Sequence, residues 1–204
     1  SEDDARSLHV HGADETWPLE GSGPAAYLDA DQLIVAAKAT GCDAIHPGYG
    51  FLSENSGFAR SCEEAGLLFV GPGPDALELF GDKTAARRFA AEHGVDVVNG
   101  TDGPTSLDQA RAFLKSLGPS GAIMTKALGG GGGRGIRVVS KPEELPRAFE
   151  HCRAEAMAAF GNGDLYVEEL LVRPRHIEIQ VLGDGTGDVI HLWDRECSIQ
   201  RGHQ

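Results

Sequence analysis

The chain has 204 residues, of which 41% are hydrophobic and only 6% aromatic, and it carries a formal net charge of −13. That length holds one large or two small domains with a real core, and an aliphatic, alanine-rich apolar fraction suits alternating strands and helices better than a sandwich or barrel. The acidity excludes nucleic acid as a main partner, since no basic stripe could neutralise a phosphate backbone; no apolar run has the length of a membrane span and no signal peptide opens the chain, so no membrane partner and a cytoplasmic location are expected.

Leu8-His9-Val10 reads as a short strand, followed by a polar loop through Pro24. A helix is predicted over 29–40, with Leu33, Ala36, Ala37 and Thr40 on one face and Gly41 as its stop. Cys42-Asp43-Ala44-Ile45 is a short buried strand leading into His46-Pro47-Gly48-Tyr49-Gly50-Phe51. A second helix over 54–65 ends at Gly66, and Leu67-Leu68-Phe69-Val70 is an apolar strand. This order predicts a parallel α/β unit whose ligand loops lie at the carboxyl ends of its strands.

Residues 74–93 read as helical with a break at Gly81, and Asp96-Val97-Val98 as a strand. Ser106 with Gln109 forms a capping box for a helix over 107–117. Strands over 122–127 and 136–139 flank a glycine run. Ser140 with Glu143, and Pro142 in the first turn, open a helix whose inward stripe is Leu145, Phe149, Cys152 and Ala156. Strands over 166–171, 176–182 and 189–193 follow, with a domain boundary near Asp96 and a change of layer near Val172.

The most informative stretch is 129–135, Gly-Gly-Gly-Gly-Gly-Arg-Gly. Amides without side chains can approach a polyphosphate closely, and Lys126 and Arg134 place positive charge beside them. A Walker loop or a Rossmann fingerprint would lead into a helix, whereas β-branched residues follow here. The glycines therefore read as the tip of a hairpin laid over phosphates, the alternative being a flexible linker. In His176-Ile177-Glu178-Ile179-Gln180-Val181 the polar residues share one strand face, either facing a ligand or half-solvated. Peptide groups from Glu168 through Leu171 could pair with a purine edge or form a plain turn, and Lys83 is either a phosphate ligand or one more exposed helix lysine. Cys42, Cys62, Cys152 and Cys197 lie far apart with no Cys-x-x-Cys pair, which argues against a disulfide framework or structural zinc and for a reducing compartment.

Taken in order, His46 to Asn55 (HPGYGFLSEN), Gly81-Asp82-Lys83, Lys126 with its glycine run, Glu168-Glu169, Arg175 to Val181 (RHIEIQV) and Asp194 to Arg201 (DRECSIQR) resemble biotin carboxylase, the ATP-grasp subunit or domain of acyl-CoA carboxylases and pyruvate carboxylase. The resemblance implies an α/β fold. Its first part is a Rossmann-like parallel sheet over 1–80 preceding the ATP-grasp region, followed by a connecting helix region over 81–97. An ATP-grasp α+β lid over 98–170 and the start of the C-terminal ATP-grasp sheet over 171–204 complete it.

It further implies an ATP-dependent ligase that activates bicarbonate as carboxyphosphate and carboxylates biotin on a carrier protein. Lys83 and Lys126 would bind phosphates, Gly131, Gly132 and Gly133 would form the lid, and Glu168, Glu169, Leu170 and Leu171 would read adenine. His176, Gln200 and His203 would contact nucleotide, and Tyr49 and Gly50 would border the biotin side. Implied partners are ATP, bicarbonate, the biotin carrier domain, a carboxyltransferase and, in the complete protein, further copies of itself; Mg²⁺ is implied with its ligands, like the main catalytic residues, beyond Gln204. Gly23-Pro24-Ala25-Ala26-Tyr27-Leu28-Asp29 points to the acyl-CoA carboxylase side. Alternatives are a nucleotide-binding remnant without turnover, or an enzyme of the pyruvate carboxylase or carbamoyl-phosphate synthetase type. The sequence departs from the family at Asp96, Asn99 and Thr125, and at Gly202, where an arginine is usual. It lacks the family's opening strand-helix unit and the lysine expected after Gln204, which implies that the isolated chain is catalytically incomplete.

Overall fold

The computed structural model describes residues 1–129 and 135–199, so the expectations for Gly131, Gly132, Gly133, Gln200 and His203 lie outside it. The chain divides into two units, Ser1–Ala86 and Arg87–Gln204. No helix among the described residues is long and apolar enough to cross a membrane.

In the first unit α1 (Leu8–Gly12) occupies the segment expected to be a strand. Three alternating residues hold too little periodicity to specify a strand, and here no partner strand supplies ladder bonds; the local Val10 N–H to Ser7 C=O bond at 3.1 Å closes a helical turn instead. Helix α2 (Ala30–Ala39) starts where Asp29 accepts a bond from the Gln32 amide at 3.1 Å, and Gly41, at φ 69°, lets the chain turn away. Its packed stripe is Ala30, Leu33, Ile34 and Ala37, while Thr40 is exposed and bonds back to the Ala36 carbonyl. Strands β1 (Ala44–Ile45) and β2 (Leu68–Phe69) run parallel, with Ala44 opposite Leu68. Between them α3 (Ser56–Glu64) is capped by Asn55, which accepts from the Phe58 amide at 2.8 Å. Phe58 and Phe69 meet edge to face at 5.9 Å in the core, whereas Leu68 is exposed and β1 half-buried, so these strands are covered less than their sequence suggests. Helix α4 (Pro74–Gly81) follows, and α5 (Lys83–Glu92) begins after a break at Asp82, whose carboxylate accepts from the Thr84 amide at 2.8 Å.

The second unit is built on β3 (Ile123–Ala127), β4 (Ile136–Val139) and β5 (Leu165–Glu169), antiparallel in the order β4-β3-β5. Helices α6 (Leu107–Ser116) and α7 (Leu145–Phe160) cover one face. The Ser106–Gln109 capping box is present with both of its bonds. The one expected at Ser140 and Glu143 is not: Pro142 opens a 3₁₀ turn, Pro142–Glu144, and α7 starts a turn later at Leu145. The stripe of Leu145, Phe149, Cys152 and Ala156 is buried as its spacing predicts and packs on Ile123, Ala127, Val139 and Val167; each larger side chain contributes roughly 1.5–3 kcal/mol.

Asp96-Val97-Val98 forms no strand. The Val98 carbonyl accepts from the Arg87 guanidinium rather than from a neighbouring chain. The segment after it instead laces the outer edge of β5, with amide-to-carbonyl bonds from Thr101 to Val167 (2.9 Å), Thr105 to Leu165 (2.8 Å) and Glu169 to Asn99 (2.8 Å). Strands β6 (Ile177–Gly183) and β7 (Val189–Glu196) make a separate antiparallel hairpin whose register shifts by one residue near Trp193, at φ 67°.

Candidate functional site

Alternation along β3 sends Ile123, Thr125 and Ala127 into the helix-covered core and Met124 and Lys126 to the opposite face. On that second face Lys126 lies directly across from Ile136 on β4 and Tyr166 on β5, and Met124 across from Glu168. The diagonal between β3 and β5 is short enough for long side chains to meet, and the Lys126 ammonium forms an ion pair with the Glu168 carboxylate. Their side chains are 23% and 15% exposed, against 39% or more for every other ion-paired side chain among the described residues. Tyr166, almost wholly buried beside them, has its hydroxyl pKa pushed well up, first by burial and then by the Glu168 charge.

Lys126 stands one residue before the closing rung of the hairpin, where the Ala127 amide donates to the Gly135 carbonyl at 2.9 Å. The same carbonyl accepts from the buried Cys152 thiol, also at 2.9 Å, and burial pushes that thiol's pKa up. Gly135 sits at φ 65°, and a Cβ there would lie 2.8 Å from that of Ala127. The strands flanking the glycine run thus form the expected hairpin, with a lysine at its base and a fixed post at its far side. The tip, residues 130–134, is outside the described residues.

The segment Glu168 to Leu171 ends β5. The Glu169 amide donates to Asn99 and the Leu170 amide to Ala122, both to backbone carbonyls, while among the described residues the Leu171 amide has no backbone partner. Asn99 also donates from its side chain to the Glu169 carboxylate at 2.8 Å. His176 precedes β6, exposed, with its amide on Ser198 Oγ at 2.7 Å. Glu178 on the same strand pairs with Arg195 at 2.5 Å, and Ile177, Ile179 and Val181 on the other face are exposed rather than buried. Ser198 and then Arg175 hold the Glu196 carboxyl down to about 2.

In the first unit Lys83 opens α5. The loop after β1 contains Gly48 and Gly50 at φ 70° and 71°, Phe51 at φ 48° and an almost fully exposed Tyr49, with the Gly48 amide on His46 Nδ1 at 3.0 Å. A phenylalanine in left-handed backbone costs energy that the loop's shape must offset, here helped by packing on Tyr27 at 5.6 Å. Sequence reasoning missed the Glu168 side chain as the partner of Lys126, and Tyr166 beside it; Cys152 was expected in the core, where it lies, but not its bond to Gly135. The i, i+2 spacing of Tyr166 and Glu168 was the available signal.

Residues 1–77 match the family described as biotin carboxylase, N-terminal domain, and residues 82–204 match the carbamoyl-phosphate synthase L chain, ATP binding domain. The biotin carboxylase of Campylobacter jejuni, solved as a β,γ-ATP complex, superposes over 100% of this chain and 46% of its own, with a TM-score of 0.94 and 41% identity. The chain belongs to the biotin carboxylase family. The biotin carboxylase domain of Hydrogenobacter thermophilus 2-oxoglutarate carboxylase, solved as a dimer with MgADP, ADP and bicarbonate, gives a TM-score of 0.93 at 44% identity, covering 98% of this chain and 44% of that one. Pyruvate carboxylase 1 of Caenorhabditis elegans is 53% identical over 208 residues, and pyruvate carboxylase of Bacillus subtilis 49% over 207. Both cover this whole chain, which spans only 17% and 18% of their lengths.

Proposed function

We propose that this biotin carboxylase stretch holds nucleotide in a parent carboxylase that uses MgATP to activate bicarbonate as carboxyphosphate and carboxylates biotin on a carrier domain. The observation that carries the reading is Lys126: a half-buried ammonium at the base of a glycine hairpin, on a sheet face away from the core. The arrangement fits a nucleotide. Lys126 supplies charge for phosphate, and the Leu171 amide, which has no backbone partner among the described residues, can donate to a purine ring nitrogen. In this reading Lys83 keeps the phosphate-binding role that the resemblance gives it, His176 is a nucleotide contact, Gly131, Gly132 and Gly133 form the lid, and Gln200 and His203 are further nucleotide contacts. ATP supplies the phosphoryl group, while this chain's residues bind it, orient it and shield it from water. Among the described residues no cluster of three or more His, Cys, Asp or Glu side chains could hold a metal ion, so no Mg²⁺ ligand is assigned here.

The domain division we favour is an N-terminal Rossmann-like part over 1–80, a helical connection over 81–97, a lid over 98–170, and the first strands of the C-terminal ATP-grasp sheet over 171–204. A carrier domain and a carboxyltransferase are the partners of the complete protein. Its final acceptor we take to be pyruvate rather than an acyl-CoA, because the relatives named above at 49–53% identity are pyruvate carboxylases. The Gly23-to-Asp29 segment that suggested acyl-CoA has a local explanation. It forms a 3₁₀ turn whose Gly23 amide bonds Asp3 at 2.9 Å and whose Tyr27 hydroxyl donates to Asp4 at 2.8 Å.

The test is the full-length parent assayed for bicarbonate-dependent ATP cleavage and for carboxylation of pyruvate, acetyl-CoA and propionyl-CoA. Pyruvate alone should serve as acceptor, and Lys126→Met, which keeps the apolar stem, should weaken ADP binding by about 1.5–3 kcal/mol. Unchanged ADP affinity in that variant would remove Lys126 from the site.

A further inference from the structure

We propose that Glu168 is a positioning residue whose side-chain carboxylate fixes the Lys126 ammonium for phosphate. This rests on the nucleotide-binding reading given above and assigns the Glu168 side chain a role separate from any contact that its backbone makes.

The Lys126 stem lies between Ile136 on β4 and Tyr166 on β5, its direct partners across the sheet, so its direction is set by two flanking side chains. Only its charged end retains freedom, and Glu168, two residues beyond Tyr166 on the same face, takes hold of that end. The pair is the least exposed ion pair among the described residues. Its location argues against a purely stabilising purpose. Desolvating two charges offsets much of their attraction, and an apolar pair at a sheet's face is often as stable. What the pair adds is definition of where the ammonium sits, at the foot of the hairpin closed by Ala127 and Gly135. A carboxylate beside a phosphate site also carries a repulsive cost, so its presence makes sense only if orienting the lysine outweighs that repulsion.

Tyr166, two residues before Glu168 on the same strand face, is itself 2% exposed, and the Glu168 charge helps to raise its pKa. Arg87 from α5 comes close enough for its charge to act on Tyr166 while its guanidinium bonds the Val98 and Thr101 carbonyls.

A mutant cycle in the full-length parent tests this, with ADP affinity measured by calorimetry and folding checked by circular dichroism. Glu168→Gln keeps the shape and loses the charge, and should weaken ADP binding by about fivefold or more in the native background. In a Lys126→Met background the same substitution should change ADP affinity by less than about 1.5-fold, because its only route of action is gone. An unaltered ADP affinity in Glu168→Gln overturns the proposal, as does an equal effect in both backgrounds, and a fall in Tm alone would make the pair structural. Should Lys126→Met by itself leave ADP binding unchanged, the nucleotide site fails first, and that outcome is read independently of Glu168.

Discussion

Gly135 shows how one residue can carry both conformation and approach. Its backbone at φ 65° strains any L side chain, and an added methyl would press on Ala127 at 2.8 Å, where both neighbours are already fixed by the closing rung. Gly135→Ala should therefore destabilise the second unit by about 1–3 kcal/mol, read as a lower urea midpoint with an unchanged slope. A substitution of Gly103, where a Cβ meets nothing within 4 Å and φ is not positive, should move the midpoint far less. At this scale the place of Lys126 at the base of a hairpin was legible in sequence, because strand-like residues bracket the glycine run. Glu168 was not legible as its partner. The contact depends on which strands are neighbours and in what register, and Lys126 and Glu168 stand 42 positions apart in the chain.

Among the elements, the two serine caps make a controlled pair. Ser106 accepts from the Gln109 amide at 3.2 Å while Gln109 returns a bond to the Ser106 amide at 2.8 Å. Ser140 has the same motif spacing but sits ahead of a 3₁₀ turn with no capping bond. Ser106→Ala should cost about 1 kcal/mol in chemical denaturation, and Ser140→Ala a few tenths at most. Equal losses would show that motif spacing, not geometry, sets the value. The contrast also marks what sequence could reveal about the fold. Helix faces follow from a 3.6-residue period over many positions, so the α7 stripe emerged residue by residue. Strands of three residues have no such redundancy: Leu8-His9-Val10 became helix, and the carbonyl of Val98 went to a guanidinium. The hairpin of β6 and β7 kept its alternation, yet its apolar side is exposed, since burial depends on what packs against it and not on pattern alone.

For the molecule as a whole, acid should be the weak side. The carboxyls of Asp29, Glu155, Asp184 and Glu196 are all held below their ordinary values, chiefly by bonds from Gln32, Arg137, Thr186 and Ser198 respectively. A carboxyl depressed in the folded state stabilises it above the unfolded pKa, and that contribution disappears as pH falls through the folded pKa. For Glu196 the window runs from 4.5 down to about 2. The net charge of −13 at pH 7 reverses sign near the isoelectric point of about 4.9, so below it accumulating positive charge acts in the same direction. Tm should fall continuously from pH 4.5 to 2.5, and Glu196→Gln should shallow that fall; an unchanged acid profile in the variant would mean its bonds to Ser198 and Arg175 form equally in the unfolded chain.

The lacing of β5 by the segment that carries Asn99, Thr101 and Thr105 has an outcome for solubility. A bare strand border invites foreign strands to add on, and this border is already occupied by the protein's own backbone, with the Thr101 hydroxyl also accepting from the Val167 amide at 3.1 Å. Recruitment of further copies into growing fibrils through this side is thereby blocked, and loosening that stitch would open a seed for aggregation before it disturbed the core.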